Sequence, residues 1–325
     1  MNTHIYTSGD ELPKGLLEDN FFHSPILFKL CQDTPRHKPY MATVEDEDGV
    51  IVAQLLALVR YRSSIFPPYF YMHCRIYGEG AYRISQDQPS RQDLFGTMLR
   101  ALRSALGLRV LYIEVSNLSQ KMFAYREFRQ TGFFPVRWMS IHNSLHSKEP
   151  SQRLSTKLKE HIAHAYQRGI VTEELSTEED FKAFLKLLRH HNWLKPKRYI
   201  PQDDFFRGLM NTDNVRLFVT KYKHHVVGCS SVVYSQGQAY LWYSAFRRKS
   251  FRWLHPDELT IWHAIHDAWQ RQYQHMFFLD VGLPFRKNPF REFILRFGGK
   301  PVSTYRWFYC NIGWINRLLS WLYRA

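Results

Sequence analysis

Apolar positions in this chain recur with two periods, and the order in which those periods occur is itself repeated. Met41 to Val44 and Val50 to Val59 are apolar runs on either side of Glu45-Asp46-Glu47-Asp48-Gly49. Asp48-Gly49 between such runs predicts a β-hairpin. From Ser90 to Leu106, Leu94, Met98, Leu102 and Leu106 share one helical face while Arg91, Arg100 and Arg103 fall elsewhere, which predicts an amphipathic helix stopped by Gly107. Val110 to Val115 then reads as a strand, Met122 to Arg129 as a helix stopped by Gly132, and Val136 to Leu145 as a strand. The expected order is hairpin, helix, strand, helix, strand.

The polar stretch His146 to Ser155, containing Pro150, interrupts this pattern and sets the expected boundary between a domain at 1–150 and a second at 151–325. A linking helix carries Leu154, Leu158, Ile162 and Ala165 and ends near Gly169; another begins near Ser176, where Ser176 and Glu179 have capping-box spacing. Strands at Val215 to Thr220, Val226 to Tyr234 and Ala239 to Phe246 follow. Next come a helix at Asp257 to Tyr273, a strand at Met276 to Val281, a helix at Phe290 to Phe297 and a strand at Val302 to Cys310. Two mixed-sheet α/β units in tandem, joined by helices, are the expected fold class.

The repetition extends to residues. Arg126-Glu127-Phe128, Gly132, Pro135-Val136 and Arg137-Trp138 return in order as Arg291-Glu292-Phe293, Gly298-Gly299, Pro301-Val302 and Arg306-Trp307. Each phrase follows an apolar strand containing an acid, Glu114 in the first copy and Asp280 in the second. A duplicated unit is expected, with a ligand site in a cleft between the halves.

With 325 residues, 45% hydrophobic and 22% charged, the composition is that of a folded protein with room for two cores. Cys31, Cys74, Cys229 and Cys310 are scattered without a CxxC pair, which argues against a zinc ribbon or a secreted disulfide framework and fits a reducing cytoplasm. Neither a signal peptide nor a membrane span is expected. The formal net charge of +15 changes the picture most: either basic surface regions concentrate an anionic partner, or the excess Lys and Arg only keep the protein soluble. RNA, anionic lipid, coenzyme A and nucleotide-linked sugars all satisfy that charge.

Residues in both halves resemble the tandem acyltransferases of the FemABX type, which are built from two GNAT-like (acyl-CoA N-acyltransferase) halves. The likeness rests on Phe22-His23-Ser24, Ile113-Glu114-Val115 with Asn117-Leu118, Ser155-Thr156-Lys157, Phe278-Leu279-Asp280-Val281-Gly282, Phe293 and Phe297-Gly298-Gly299. The resemblance implies transfer of an acyl or aminoacyl group from a carrier, acyl-CoA or aminoacyl-tRNA, to an amine such as that of a cell-envelope precursor. It implies no tightly bound cofactor. Three departures bear on the carrier: Ser116 stands where the family often has Arg, Ile294 where peptidoglycan-extending members place Lys, and the RxxGxG/A pyrophosphate loop of simple GNAT enzymes is absent.

Acyl transfer to an amine needs a neutral nucleophile and positive charge or donors where the oxyanion develops. Asp280 is the candidate for orienting or deprotonating the amine, with Glu114 in the corresponding place; a carboxylate bonded to its own turn is the competing reading. Arg286, Lys287, Arg291 and Arg296 follow as a basic cluster suited to a carrier phosphate or, for Arg296, the oxyanion; as a solvated helix face they would do neither. Lys157 invites the same two readings. Tyr243, with Tyr240 and Trp242, either lines an acyl channel or stacks on a base, or is core. His161 with His164, and His263 with His266, lack a third ligand, so no metal is expected. Residues 313–325, with Trp314, Leu318, Trp321 and Arg317, either touch a membrane interface or dock as a terminal helix on the second half. The alternative to an enzyme is a non-enzymatic double module that binds RNA or an anionic membrane surface through its basic face.

Overall fold

The computed structural model describes residues 1–64, 68–83, 90–192, 200–247, 250–279 and 281–323. Strand β1 (Asn2–Tyr6) is followed by α1 (Pro25–Asp33), β2 (His37–Glu45), β3 (Ile51–Ser64), β4 (Tyr69–Tyr77) and the short β5 (Ala81–Tyr82). Then come α2 (Arg91–Leu106), β6 (Tyr112–Ser116), α3 (Tyr125–Gln130) and β7 (Phe134–Ser144). Ser90 caps α2 by accepting the N–H of Asp93. The apolar face read from the sequence, Leu94, Met98, Leu102 and Leu106, is buried together with Phe95 and Leu99 against Val59, Ile76, Val115 and Trp307. Burying a side chain of this size contributes about 1.5–3 kcal/mol.

The chain continues through α4 (Thr156–Gln167), β8 (Ile170–Glu174), α5 (Glu178–Asn192), α6 (Asp203–Met210), β9 (Val215–Tyr222), β10 (His225–Ser235) and β11 (Gln238–Phe246). It ends with α7 (Pro256–Gln270), β12 (His275–Phe278), α8 (Pro289–Leu295), β13 (Lys300–Cys310) and α9 (Gly313–Leu322). Gln236 and Gly237, at φ 50° and 71°, turn β10 into β11. Two successive left-handed residues match the twist of a tight hairpin. Helix α5 is capped one residue later than expected: Thr177, rather than Ser176, accepts the N–H of Asp180.

By packing, the chain forms two units, Met1–Trp138 with Ser303–Ala325, and Met139–Val302. The sequence reading divides the chain once, after residue 150; the chain instead changes unit within β7 and again within β13. In the first unit the strand order is β1-β2-β3-β4-β6-β13, and in the second it is β8-β9-β10-β11-β12-β7. The orders correspond strand for strand, each with a parallel step, β4 to β6 and β11 to β12, bridged by a helix. Each then closes with an antiparallel strand donated by the other copy of the repeat. Phe128 and Phe293 both lie in the short helix that follows the parallel strand. Helix α9 packs on the first unit, not on the second half as expected: Asn316 donates to the Gly132 carbonyl at 3.0 Å, and Tyr323 stacks on Phe134. It follows β13, which belongs there.

Candidate functional site

The parallel strand pair differs between the units. In the first, β4 pairs with β6 through to its last residue, Tyr77, opposite Ser116. In the second, the ladder between β11 and β12 ends at Leu241 opposite Phe278, although β11 continues to Phe246 along β10. A β-bulge lies at the same point, because Ser231 is opposite Tyr243 but Val232 is opposite Leu241, leaving Trp242 as the extra residue. The bulge turns two successive rings to one side, where Trp242 meets Phe205 at 5.6 Å and Tyr243 meets Phe206 at 5.3 Å between centroids. Tyr243 is therefore part of an aromatic layer under α6, buried to 4% exposure.

Helix α7 starts beyond the C-terminal end of β11. Gly228 is opposite Phe246, and a Cβ on Gly228 would lie 2.1 Å from Thr260 Oγ1, so the first turns of α7 sit directly over this end of the sheet. Pro256 opens the helix and His255 precedes it in a left-handed conformation, φ 46° and ψ 49°. A non-glycine residue is uncommon there. Glu258, at 3% exposure, is the centre of a polar cluster. Its Oε2 faces His161 Nδ1 at 2.9 Å and its Oε1 accepts from Arg296 at 2.7 Å. His255 Nδ1 lies 3.7 Å from the same carboxylate, and its ring stacks on His161 at 3.9 Å and 11°. Burial lowers the His255 pKa; Glu258 pulls it up while His161 and Arg296 push it down. With the His161 proton on Nδ1 and given to Glu258, Nε2 is left as an acceptor.

His161, His255 and Glu258 bring three ligand atoms within 4.8 Å of one another. A metal lies in the plane of every imidazole that binds it, and two rings stacked face to face do not offer that arrangement. Both carboxylate oxygens of Glu258 are already engaged. The cluster as it stands is suited to holding charge and protons.

Of the residues singled out from sequence, Arg296 enters this cluster directly. Lys157 is exposed on the first turn of α4, one helical turn before His161. Arg291 turns back onto its own loop, donating to the carbonyls of Leu283 at 2.6 Å and Arg286 at 2.8 Å. Asn288 braces the same loop by donating to the Val281 carbonyl and accepting the N–H groups of Phe290 and Arg291. Arg286 and Lys287 are exposed on that braced loop. Asp280 lies outside the described residues. Sequence reasoning missed Glu258 and treated His161 only as half of a His pair; an acid placed two residues after Pro256 in an apolar helix was the available signal.

In the first unit Glu114 takes a different part. Its Oε1 accepts from Arg306 at 2.8 Å and lies 3.7 Å from Arg75 Nε. Arg306 lies over the Trp138 ring at 4.0 Å and Arg75 over Tyr77 at 4.3 Å. Glu114 is thus a buried carboxylate within the sheet of its unit, paired with arginines rather than with its own turn.

Residues 152–287 match the family model of the Acetyltransferase (GNAT) domain. No curated protein matches the sequence. Among solved structures, the crystal structure of FemX is similar with a TM-score of 0.64 at 11% identity, over 99% of both chains. L-PGS from Bacillus licheniformis is similar with a TM-score of 0.58 at 11% identity, over 92% of each chain. A tandem GNAT protein from the clavulanic acid biosynthesis pathway gives 0.52 at 11% identity, over 89% of this chain and 88% of that one. At these identities the likeness establishes the fold. The repeated strand order and the matched domain together give this chain a fold similar to that of FemX and of the tandem GNAT protein, with its second unit matching the acetyltransferase (GNAT) domain over residues 152–287.

Proposed function

We propose that the protein is an N-acyltransferase that moves an acyl or aminoacyl group from a carrier to an amine, with the chemistry in the second unit. The observation that carries this reading is the shortened β11–β12 ladder with its bulge, found in the unit that matches the GNAT domain and not in the β4–β6 pair. In open α/β sheets, ligands sit beyond the C-terminal ends of parallel strands. The Glu258 cluster occupies that end of β11.

In the reaction the amine nitrogen attacks the acyl carbonyl carbon, the new C–N bond forms, and the bond from the acyl carbon to the carrier breaks. The amine sheds a proton and the carrier's leaving atom gains one. Asp280, which follows β12 in sequence, is assigned the amine proton. Arg296, held at one nitrogen by Glu258, directs its other N–H groups to the developing oxyanion. Lys157, Arg286 and Lys287 are exposed and suited to carrier phosphates, and the Arg291 contacts hold the loop that carries Arg286 and Lys287.

The donor we favour is an acyl-CoA, with aminoacyl-tRNA as the other carrier. Ile294 is fully buried where the resemblance leads one to expect lysine, which removes a positive charge from that position. The start of α7 carries Asp257 and Glu258, so a pyrophosphate bound there in the manner of a helix N-terminus would meet carboxylates. The basic loop after β12 serves the phosphates better. The acceptor is an amine, with a cell-envelope precursor as the class the resemblance suggests.

Titration of the purified protein with acyl-CoA and with tRNA at two salt concentrations tests this reading. Each neutralised phosphate adds roughly 0.7 to 0.9 to the slope of log affinity against log salt. A shallow slope for acyl-CoA is expected. Tight tRNA binding with a steep slope and no CoA binding would overturn the donor assignment, and binding of neither would favour a non-enzymatic module.

A further inference from the structure

Helix α9 is amphipathic with Asn316 and Ser320 turned inward. Asn316 accepts the N–H of Cys310 at 2.9 Å and donates to the Gly132 carbonyl, and Ser320 Oγ accepts from Arg129 at 3.4 Å. Trp314, Leu318, Trp321 and Leu322, spaced i, i+4, i+7 and i+8, form the outward stripe at 65%, 52%, 61% and 62% exposure. A stripe of that composition is stabilised only when something takes it out of water. A second apolar tip stands beside it. Leu108, 86% exposed, belongs to a separate turn that is fastened to the residue two before α9, because Asn311 donates to the carbonyls of Gly107 at 2.8 Å and of Val110. Arg109 and Arg317 are exposed among these apolar residues.

We propose that α9 and the 107–110 turn form a platform that seats on an anionic lipid bilayer. Tryptophan and leucine reach the acyl boundary while arginine meets the head groups. A partner groove shaped for one helix would leave Leu108 outside, whereas a planar surface accepts tips from both segments. The net charge of +15 supplies the attraction to anionic lipid. No described helix is long and apolar enough to cross a membrane, so α9 lies along the surface.

Co-sedimentation of the full chain with phosphatidylcholine vesicles, with and without phosphatidylglycerol, tests the platform by partition alone and so stands or falls apart from acyl transfer. Binding is expected to need phosphatidylglycerol and to be lost in Trp314→Ser/Trp321→Ser, whose far-UV circular dichroism should be unchanged because both rings are exposed. Arg317→Gln should weaken partition about fivefold, the worth of one basic residue near an anionic surface. As a readout that needs no variant, brominated lipid should quench the tryptophan emission of the wild type. Absence of binding to phosphatidylglycerol vesicles, equal binding by the double variant, or a dimer in sedimentation that the double variant abolishes would overturn the proposal, the last by assigning the stripe to a second copy.

Discussion

Phe128 and Trp307 stack face to face, with ring centroids 4.5 Å apart and planes within 4°, although one belongs to the first copy of the repeated phrase and the other to the second. Both are fully buried in the core of the first unit. The relationship follows from the exchanged strands, since β13 brings the Arg-Trp pair of the second copy to the Glu-Phe helix of the first. Phe128→Ala or Trp307→Ala is expected to lower stability by about 3–5 kcal/mol. A double-mutant cycle in urea should return a coupling of about 0.5–1.5 kcal/mol for the ring pair. Independent effects of the two substitutions would contradict the crosswise closure.

The Glu258 cluster makes a kinetic prediction. Glu258→Gln keeps the shape but removes the charge that fixes Arg296 and His161, so both lose a charge-assisted bond. Misplacing Arg296, the group proposed to aim at the oxyanion, is expected to cost on the order of tenfold to a hundredfold in kcat with a smaller change in KM for the acceptor. Arg296→Lys should recover part of the loss relative to Arg296→Met. A purely structural role would lower the melting temperature in step with activity and leave the two Arg296 variants alike.

These two relationships mark how far the sequence could be read. Periodicity and turn chemistry were sufficient for β2 and β3 around Asp48-Gly49, for α2 with Ser90 and Gly107, and for the β12-α8-β13 order, because each is decided by neighbours along the chain. Strand β4 was missed, since Tyr71, His73, Arg75 and Tyr77 alternate with Met72, Cys74 and Ile76 but are themselves largely shielded, which blurs the contrast between faces. The exchange of β7 and β13 was also hidden: an apolar pattern says that a segment is a strand, not which strand lies beside it. Glu258 meets partners 97 residues before it and 38 after it, separations that no local pattern reports.

Acid should destabilise the fold through histidines that are held neutral. His23, His37 and His73 have pKa values lowered from 6.5 to about 3, by burial first and, for His37 and His73, by the charge of Arg60. His23 Nδ1 accepts the Leu56 N–H at 3.0 Å, a bond that protonation there would break. The unfolded chain takes up a proton at each site near pH 6.5 while the folded chain resists until about pH 3, so stability is fully present above pH 6.5 and falls between these values. The slope is up to about 1.4 kcal/mol per pH unit for each histidine. Melting temperature against pH should therefore decline from pH 6.5 downward, and His23→Gln, though less stable at neutral pH, should show a shallower decline.

Gly228 offers the sharpest test of how α7 sits over β11. Its backbone has no need of positive φ; what it lacks is space, since an added Cβ would be 2.1 Å from Thr260 Oγ1 and 3.1 Å from Thr220 Cβ. Thr260 is itself held, donating to the Pro256 carbonyl at 2.7 Å and bonding Thr220 Oγ1 at 2.7 Å, so it does not swing away without breaking contacts in a buried layer. Gly228→Ala should push the first turns of α7 outward, costing about 1–3 kcal/mol as overpacking does. Because Glu258 stands half a turn before Thr260, the same displacement should loosen its contacts to Arg296 and lower acyl-transfer activity more than the stability loss explains. Thr260→Ala in the same chain removes the clashing oxygen and is expected to restore a substantial part of both. Equal melting temperatures for the wild type and Gly228→Ala, or a double variant no better than the single, would show that α7 does not rest on Gly228 in the way described.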